Sequence, residues 1–184
     1  MSGASHPSPA LPPALTWSRV PAPLRTVARW VTIAQTAGYT VALLFIFLTT
    51  RLTPAGAAAR YRGTDPSLSE GAMRFAKPLS EMLQTTHTHL LGMTAIFALS
   101  GVAFALCEWP RSGRLKRFLI AEPFAAILAS FSAIWLMRYV DARFGWLLTA
   151  SSSVMAATFY LQAFVILRDL RRADRAPAPA GPTP

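Results

Sequence analysis

The sequence predicts an all-α integral membrane protein, a bundle of four transmembrane helices, and three observations carry that reading. Apolar residues make up 53% of the 184-residue chain and charged residues only 14%, well below the ~25% charge of soluble domains. The charges are clustered, so that four long apolar blocks alternate with short arginine-rich joints, as expected of a chain surrounded by hydrocarbon. Proline and alanine dominate both ends, leaving little material for a separate globular domain.

Residues 1–26 and 171–184 are expected to be disordered tails. Pro7, Pro9, Pro12, Pro13, Pro21 and Pro23 punctuate the first, and the second closes on Ala-Pro-Ala-Pro-Ala-Gly-Pro-Thr-Pro. Proline removes backbone donors, and neither segment has enough bulky apolar surface to offset the entropy of ordering. The membrane domain is then 27–170. Its first helix is expected at about residues 29–50, where Trp30 to Leu48 is apolar between Arg25, Arg29 and Arg51. A signal peptide has a shorter apolar region, although the alanine-rich stretch from Ala55 to Ala59 keeps cleavage open as an alternative.

An outward loop follows over residues 51–77. The second helix, at about 78–107, is expected to start at Pro78, because proline suits a first helical turn and disfavours helix at the residue before it. It closes at Glu108-Trp109-Pro110. The third, at about 117–140, is interrupted by Glu122-Pro123, and the fourth, at about 144–168, runs into the basic cluster Arg168, Arg171 and Arg172. So short a joint between the last two makes them antiparallel neighbours.

Eleven Lys and Arg residues fall on the side that holds both tails, against seven on the side of the 51–77 loop. The positive-inside rule therefore places both termini in the cytoplasm of a bacterial inner membrane, with the loop outside. The same anchoring accounts for the net charge of +10. In a soluble protein that charge would suggest nucleic acid, but here the basic residues sit beside apolar blocks, so the expected partner is the lipid bilayer and nucleic acid is not. Cys107 is the single cysteine, which excludes an intramolecular disulfide and a CxxC motif. It reads as a small buried hydrophobe.

The stretch Thr85-Thr86-His87-Thr88-His89-Leu90-Leu91-Gly92-Met93 holds every histidine except His6. Ionisable groups at membrane depth tend to serve a pathway or a ligand. At 100° per residue His87 aligns with Thr94, Ala98, Gly101 and Ala105, a seam of small residues that admits a neighbouring helix or a flat cofactor. His89 faces the other way, with Met82, Met93, Ser100 and Cys107.

Imidazole and thioether are donors that copper(I) and haem iron accept, so His89 and Met93 form a candidate metal site. With His87, and with Met137 expected at a depth similar to His89, they form a candidate cofactor site for haem b or copper. Arg138 and Arg143 at that rim could hold propionates by charge-assisted hydrogen bonds. Ordinary roles compete with each of these. Met fills gaps in helical cores, a membrane His often donates to a nearby carbonyl, and the arginines with Asp141, Trp135 and Tyr139 would make an interfacial belt. A di-haem arrangement is excluded for a monomer, because the other three helices contain no histidine.

Glu122 is the one acid well inside an apolar block, expected about one turn from the cytoplasmic end. It could relay a proton or cation, cap the helix, or pair with Lys116 or Arg117. Gln35, Thr32, Thr36 and Tyr39 in the first helix, and Ser151, Ser152, Ser153, Thr158, Tyr160 and Gln162 in the fourth, read as polar links between helices.

No HExxH, nucleophile elbow, P-loop or dinucleotide fingerprint occurs, so the sequence supports no enzyme. The run Arg60-Tyr61-Arg62-Gly63, the pair Lys77-Pro78 and the His-x-His-Leu-x-Gly-Met segment at 87–93 resemble a group of small bacterial inner-membrane proteins of undetermined biochemical role. The resemblance covers residues 30–168. It implies four membrane helices with an outward loop and transfers no activity.

The functional expectation is a non-enzymatic accessory or partner-binding subunit that works with other membrane subunits. Two further readings stand beside it: a haem- or copper-binding protein using His87 or His89 with Met93, and a proton-coupled small transporter involving Glu122. The last is weakened by the lack of a visible inverted repeat or a second buried charge.

Overall fold

The computed structural model describes residues 15–64 and 73–175; the disorder expected of residues 1–14 and 176–184 lies outside them. Every element among the described residues is helical. A single 3-10 turn at Trp17–Arg19 leads into α1 (Ala22–Thr50), α2 (Pro54–Arg62), α3 (Leu79–Ala105), α4 (Gly113–Tyr139) and α5 (Phe144–Arg175). Four of these, α1, α3, α4 and α5, are long and apolar enough to cross a bilayer. At 1.5 Å per residue each runs about 40 Å or more, which exceeds the ~30 Å hydrocarbon core.

Helix ends depart from the sequence reading for identifiable reasons. The ordered chain reaches into the expected N-terminal tail because Pro21 and Pro23 occupy the cap and first turn of α1, where a missing N–H costs nothing. Trp17 is buried ahead of them. α4 starts at Gly113 because Ser112 caps it, its hydroxyl accepting from the Leu115 amide at 3.4 Å. α5 runs on to Arg175, carrying Asp174 to Arg25 and Arg29 at the start of α1.

The segment 51–77, expected as a loop, contains α2, which the sequence reading did not foresee. Arg51 and Leu52 turn the chain through positive φ values of 55° and 54°. Thr53 then caps α2 by accepting from the Gly56 amide at 3.0 Å. A β-carbon at Gly56 would stand 1.9 Å from the Thr50 carbonyl oxygen, so the turn admits only glycine. α2 lies against α1, α4 and α5. Its contact with α5 is also close, since a β-carbon at Gly145 would meet the Pro54 oxygen at 2.9 Å.

The antiparallel pair α4 and α5 forms the centre of the bundle. Half of α4's most apolar stretch is buried within the protein, against 11% for α1, which leans on the edge. One core cluster gathers Trp17, Phe104, Cys107, Leu119, Val165, Ile166 and Leu170. The second gathers Tyr39, Phe97, Ala126, Ile127, Met155 and Phe159. Helices in lipid gain little from apolar burial against one another, so close packing and hydrogen bonds hold them. Gln35 meets Ser100 at 3.1 Å, Thr40 meets Tyr160 at 2.8 Å, Ser130 meets Ser151 at 2.7 Å, and Trp135 Nε1 donates to Thr86 at 2.9 Å. Thr32 and Thr36 instead return to carbonyls of their own helix.

Candidate functional site

Packing decides which face of α3 points inward. Met82, Phe97, Ser100 and Phe104 are buried and Met93 packs against the second core cluster, so the row shared by His89 and Met93 borders the bundle. His89 sits exposed at its rim, 6.3 Å from the Phe131 ring. Its Nδ1 lies 3.0 Å from the Thr85 carbonyl, a donor geometry that leaves Nε2 to accept. Met93 follows one turn on.

The remaining residues of that expected site are dispersed. Met137 is fully buried, but the pairings of Trp135 with Thr86 and Phe131 with His89 fix the register of α3 on α4. Met137 is six residues beyond Phe131, about 9 Å nearer the loop end, and is not level with His89 as its sequence position suggested. His87 faces outward, as do Thr94, Ala98 and Ala105 of the small-residue seam. Gly101 alone of that seam is buried, where a β-carbon would lie 3.3 Å from Ile120. Among the described residues no three His, Cys, Asp or Glu side chains gather, so a metal here would rest on one imidazole and thioether.

At the loop end the arginines serve the backbone. Arg62 donates to the Met137 carbonyl at 2.9 Å and Arg138 to the Lys77 carbonyl at 3.0 Å, while the Lys77 amide donates to the Tyr61 carbonyl at 3.0 Å. These bonds join the Arg60–Gly63 turn, Lys77-Pro78 and the end of α4. Arg138 also lies over the Tyr139 ring, 4.8 Å from its centroid. Burial pushes the Tyr61 phenol above its ordinary range, with Arg60 opposing. Beside it Leu48, Thr49, Arg60, Arg74, Phe75 and Lys77 line an open recess of about 330 Å³. Reading residues 51–77 as a plain loop concealed this grouping of three cations.

Deeper in the bundle lies a polar layer between α4 and α5. Pro123 has no N–H, so the Leu119 carbonyl four residues earlier lacks its helical partner. The Gln162 side-chain amide supplies one, with Nε2 at 2.6 Å. Gln162 is fully buried, and its Oε1 has no hydrogen-bond partner among the described residues; nor has Oε2 of Glu122, which is 9% exposed. Glu122 lies nine residues beyond Gly113, about 13 Å along the helix, and just over one turn beyond Arg117. Lys116, an expected partner, donates instead to the Cys107 carbonyl. Glu122 forms no ion pair among the described residues. The signal for this layer was legible in part, since a proline inside a span announces an unpaired carbonyl one turn earlier.

Comparison with known proteins bears on the fold. Neither a curated protein nor a solved structure matches this chain. A family model does, and the matched residues 51–177, well over half of the chain, begin where α1 ends and take in α2 through α5. The model describes a transmembrane helical domain, in accord with the apolar helices seen here, and the chain belongs to that family, Aq_1264_TM, as a small integral membrane protein.

Proposed function

We propose that this chain is a non-enzymatic, partner-binding subunit of the bacterial inner membrane, with both termini cytoplasmic. Its partner is a transmembrane helix of another subunit, lying on the outward face of α3. One contrast supports this reading. The outward faces of α1, α4 and α5 carry large apolar side chains, Trp30, Phe45, Phe118, Leu128, Trp146 and Phe164 among them, as lipid contact requires. α3 exposes no Phe, Tyr or Trp, and among its exposed Leu83, Leu91, Leu99 and Val102 it presents His87, Thr88, Gly92, Thr94, Ala95 and Ala98; nothing lies within 4 Å of a β-carbon at Gly92. Small residues let a second backbone approach, and a polar imidazole gains from a partner that lipid cannot supply.

A photoreactive residue in place of Ala95 should crosslink to one discrete membrane protein in native membranes, while one in place of Phe164 should give lipid adducts. Lipid adducts from both positions would remove the proposal. An adduct at twice the mass of the chain would make the occupant a second copy.

A second reading rests on a different observation: His89 and Met93 share the edge of the bundle, and the Nε2 of His89 is available as a donor to haem b or copper. Absorption spectra and metal analysis of protein purified with haem or copper supplied would test it. His89→Ala should abolish the signal and Met93→Leu should weaken it; a colourless, metal-free protein ends this reading.

A further inference from the structure

We propose that Glu122 and Gln162 form a binding site for a monovalent cation, a proton or a sodium-sized ion, within the membrane between α4 and α5. Two buried acceptors, Glu122 Oε2 and Gln162 Oε1, have no hydrogen-bond partner among the described residues. They belong to one place. Leu119 and Glu122 lie one turn apart on α4, and Gln162 reaches the Leu119 carbonyl at 2.6 Å.

The orientation of the glutamine is fixed by that bond. Its amide nitrogen is committed to the carbonyl that Pro123 leaves free, so its oxygen cannot exchange places with it. A buried glutamine can rotate to donate to a carboxylate, but the Nε2 of this one gives Glu122 Oε2 no hydrogen bond, and its Oε1 is left as a buried acceptor. Two buried acceptors without partners, one on Glu122 and one held at Leu119 a turn earlier on α4, are each satisfied by a shared positive partner.

Among the described residues no Lys or Arg pairs with Glu122. Lys116 is held at the Cys107 carbonyl, and Arg25 and Arg29 reach Asp174. Tyr39 of α1 lies within electrostatic range of Glu122, but it carries no positive charge and gives Oε2 no hydrogen bond. A mobile cation satisfies both oxygens, whether it arrives as a proton bridging carboxyl and amide or as a metal ion bound by both.

Dicyclohexylcarbodiimide tests the site, because it adds to a carboxylic acid that carries a proton in apolar surroundings. The detergent-purified full chain is treated in choline buffer at neutral pH, and adducts are located by peptide mass. One adduct per chain is expected at Glu122, none in Glu122→Gln, and faster labelling by about fivefold or more in Gln162→Leu, where the acid loses its hydrogen-bonded acceptor. Where Gln162→Leu melts early, Gln162→Leu combined with Pro123→Ala serves, since the residue-123 amide then satisfies Leu119. Protection of Glu122 by excess sodium identifies a metal ion as the ligand; equal labelling with and without sodium identifies the proton. An unlabelled Glu122 in choline buffer, in a chain that elutes and melts as folded, overturns the proposal, as does a labelling rate indifferent to Gln162.

Discussion

Gln162 donates its side-chain amide to the carbonyl of Leu119 across the α4–α5 interface, at 2.6 Å, and so occupies the group that Pro123 deprives of its own helix's N–H. A proline inside a membrane helix is tolerated when a neighbour satisfies the freed carbonyl in this way. Gln162→Leu should therefore cost about 1–2 kcal/mol in detergent unfolding. With Pro123→Ala present the same substitution should cost less by about 0.5 kcal/mol or more, a coupling read from the double-mutant cycle. Additive effects would separate the two residues.

The glycines of α3 should divide by their surroundings. A β-carbon at Gly101 would press on Ile120 at 3.3 Å, whereas one at Gly92 would meet nothing within 4 Å. Gly101→Leu should lower stability by about 1–3 kcal/mol through overpacking. Gly92→Leu should stay within about 0.5 kcal/mol of the parent in detergent, yet weaken the crosslink expected on that face in native membranes. Equal melting curves for the two variants would contradict the packing.

Cys107 should behave as an inert thiol. Burial beside Phe104 and Trp17 pushes it up to about 12, and only the thiolate reacts with maleimide. Labelling at pH 8 should run more than about a hundredfold slower than for a free thiol of ordinary pKa ~8.5, should accelerate as pH rises, and should recover in denaturant. Prompt labelling of folded protein would mean that the Trp17–Arg19 turn does not cover the sulfur.

Arg25 and Arg29 reach Asp174, which sets the start of α1 and the end of α5 at one face of the bundle. With the basic residues distributed eleven to seven, reporters fused at both ends should read cytoplasmic, and a cysteine replacing Ser67 should react with an impermeant reagent added from outside. Opposite readings from the two ends would contradict an even number of crossings.

The four spans were legible because length and hydropathy alone specify them. α2 was not, since its nine residues, Pro54–Arg62, are too short and too rich in alanine for a periodic signal. The inward face of α3 was also hidden. In lipid both faces of a helix are apolar, so periodicity does not say whether Met82 and Phe97 or Ala98 and Thr94 turn toward the bundle. His87 and His89 could be placed on opposite faces, but the level of Met137 depended on the register with α4. Glu122 and Pro123 stood out in the sequence, whereas Gln162, distant along the chain, could not be joined to Leu119 without the fold.

The edge position of α1 has a consequence for biogenesis. α1 is synthesised before α3, α4 and α5, so its hydrogen-bonding partner Tyr160 and its ionic partner Asp174, both on α5, follow well after it. Until α5 arrives it can lean only on α2 and α3, through Gln35 and Ser100, a state suited to a helix of which so little is buried by the rest of the protein. The α4–α5 hairpin, closed by a few residues, can enter and pair as a unit. Docking of α1 then completes assembly, so its capture, and not its insertion, should be the step that a cell must wait for.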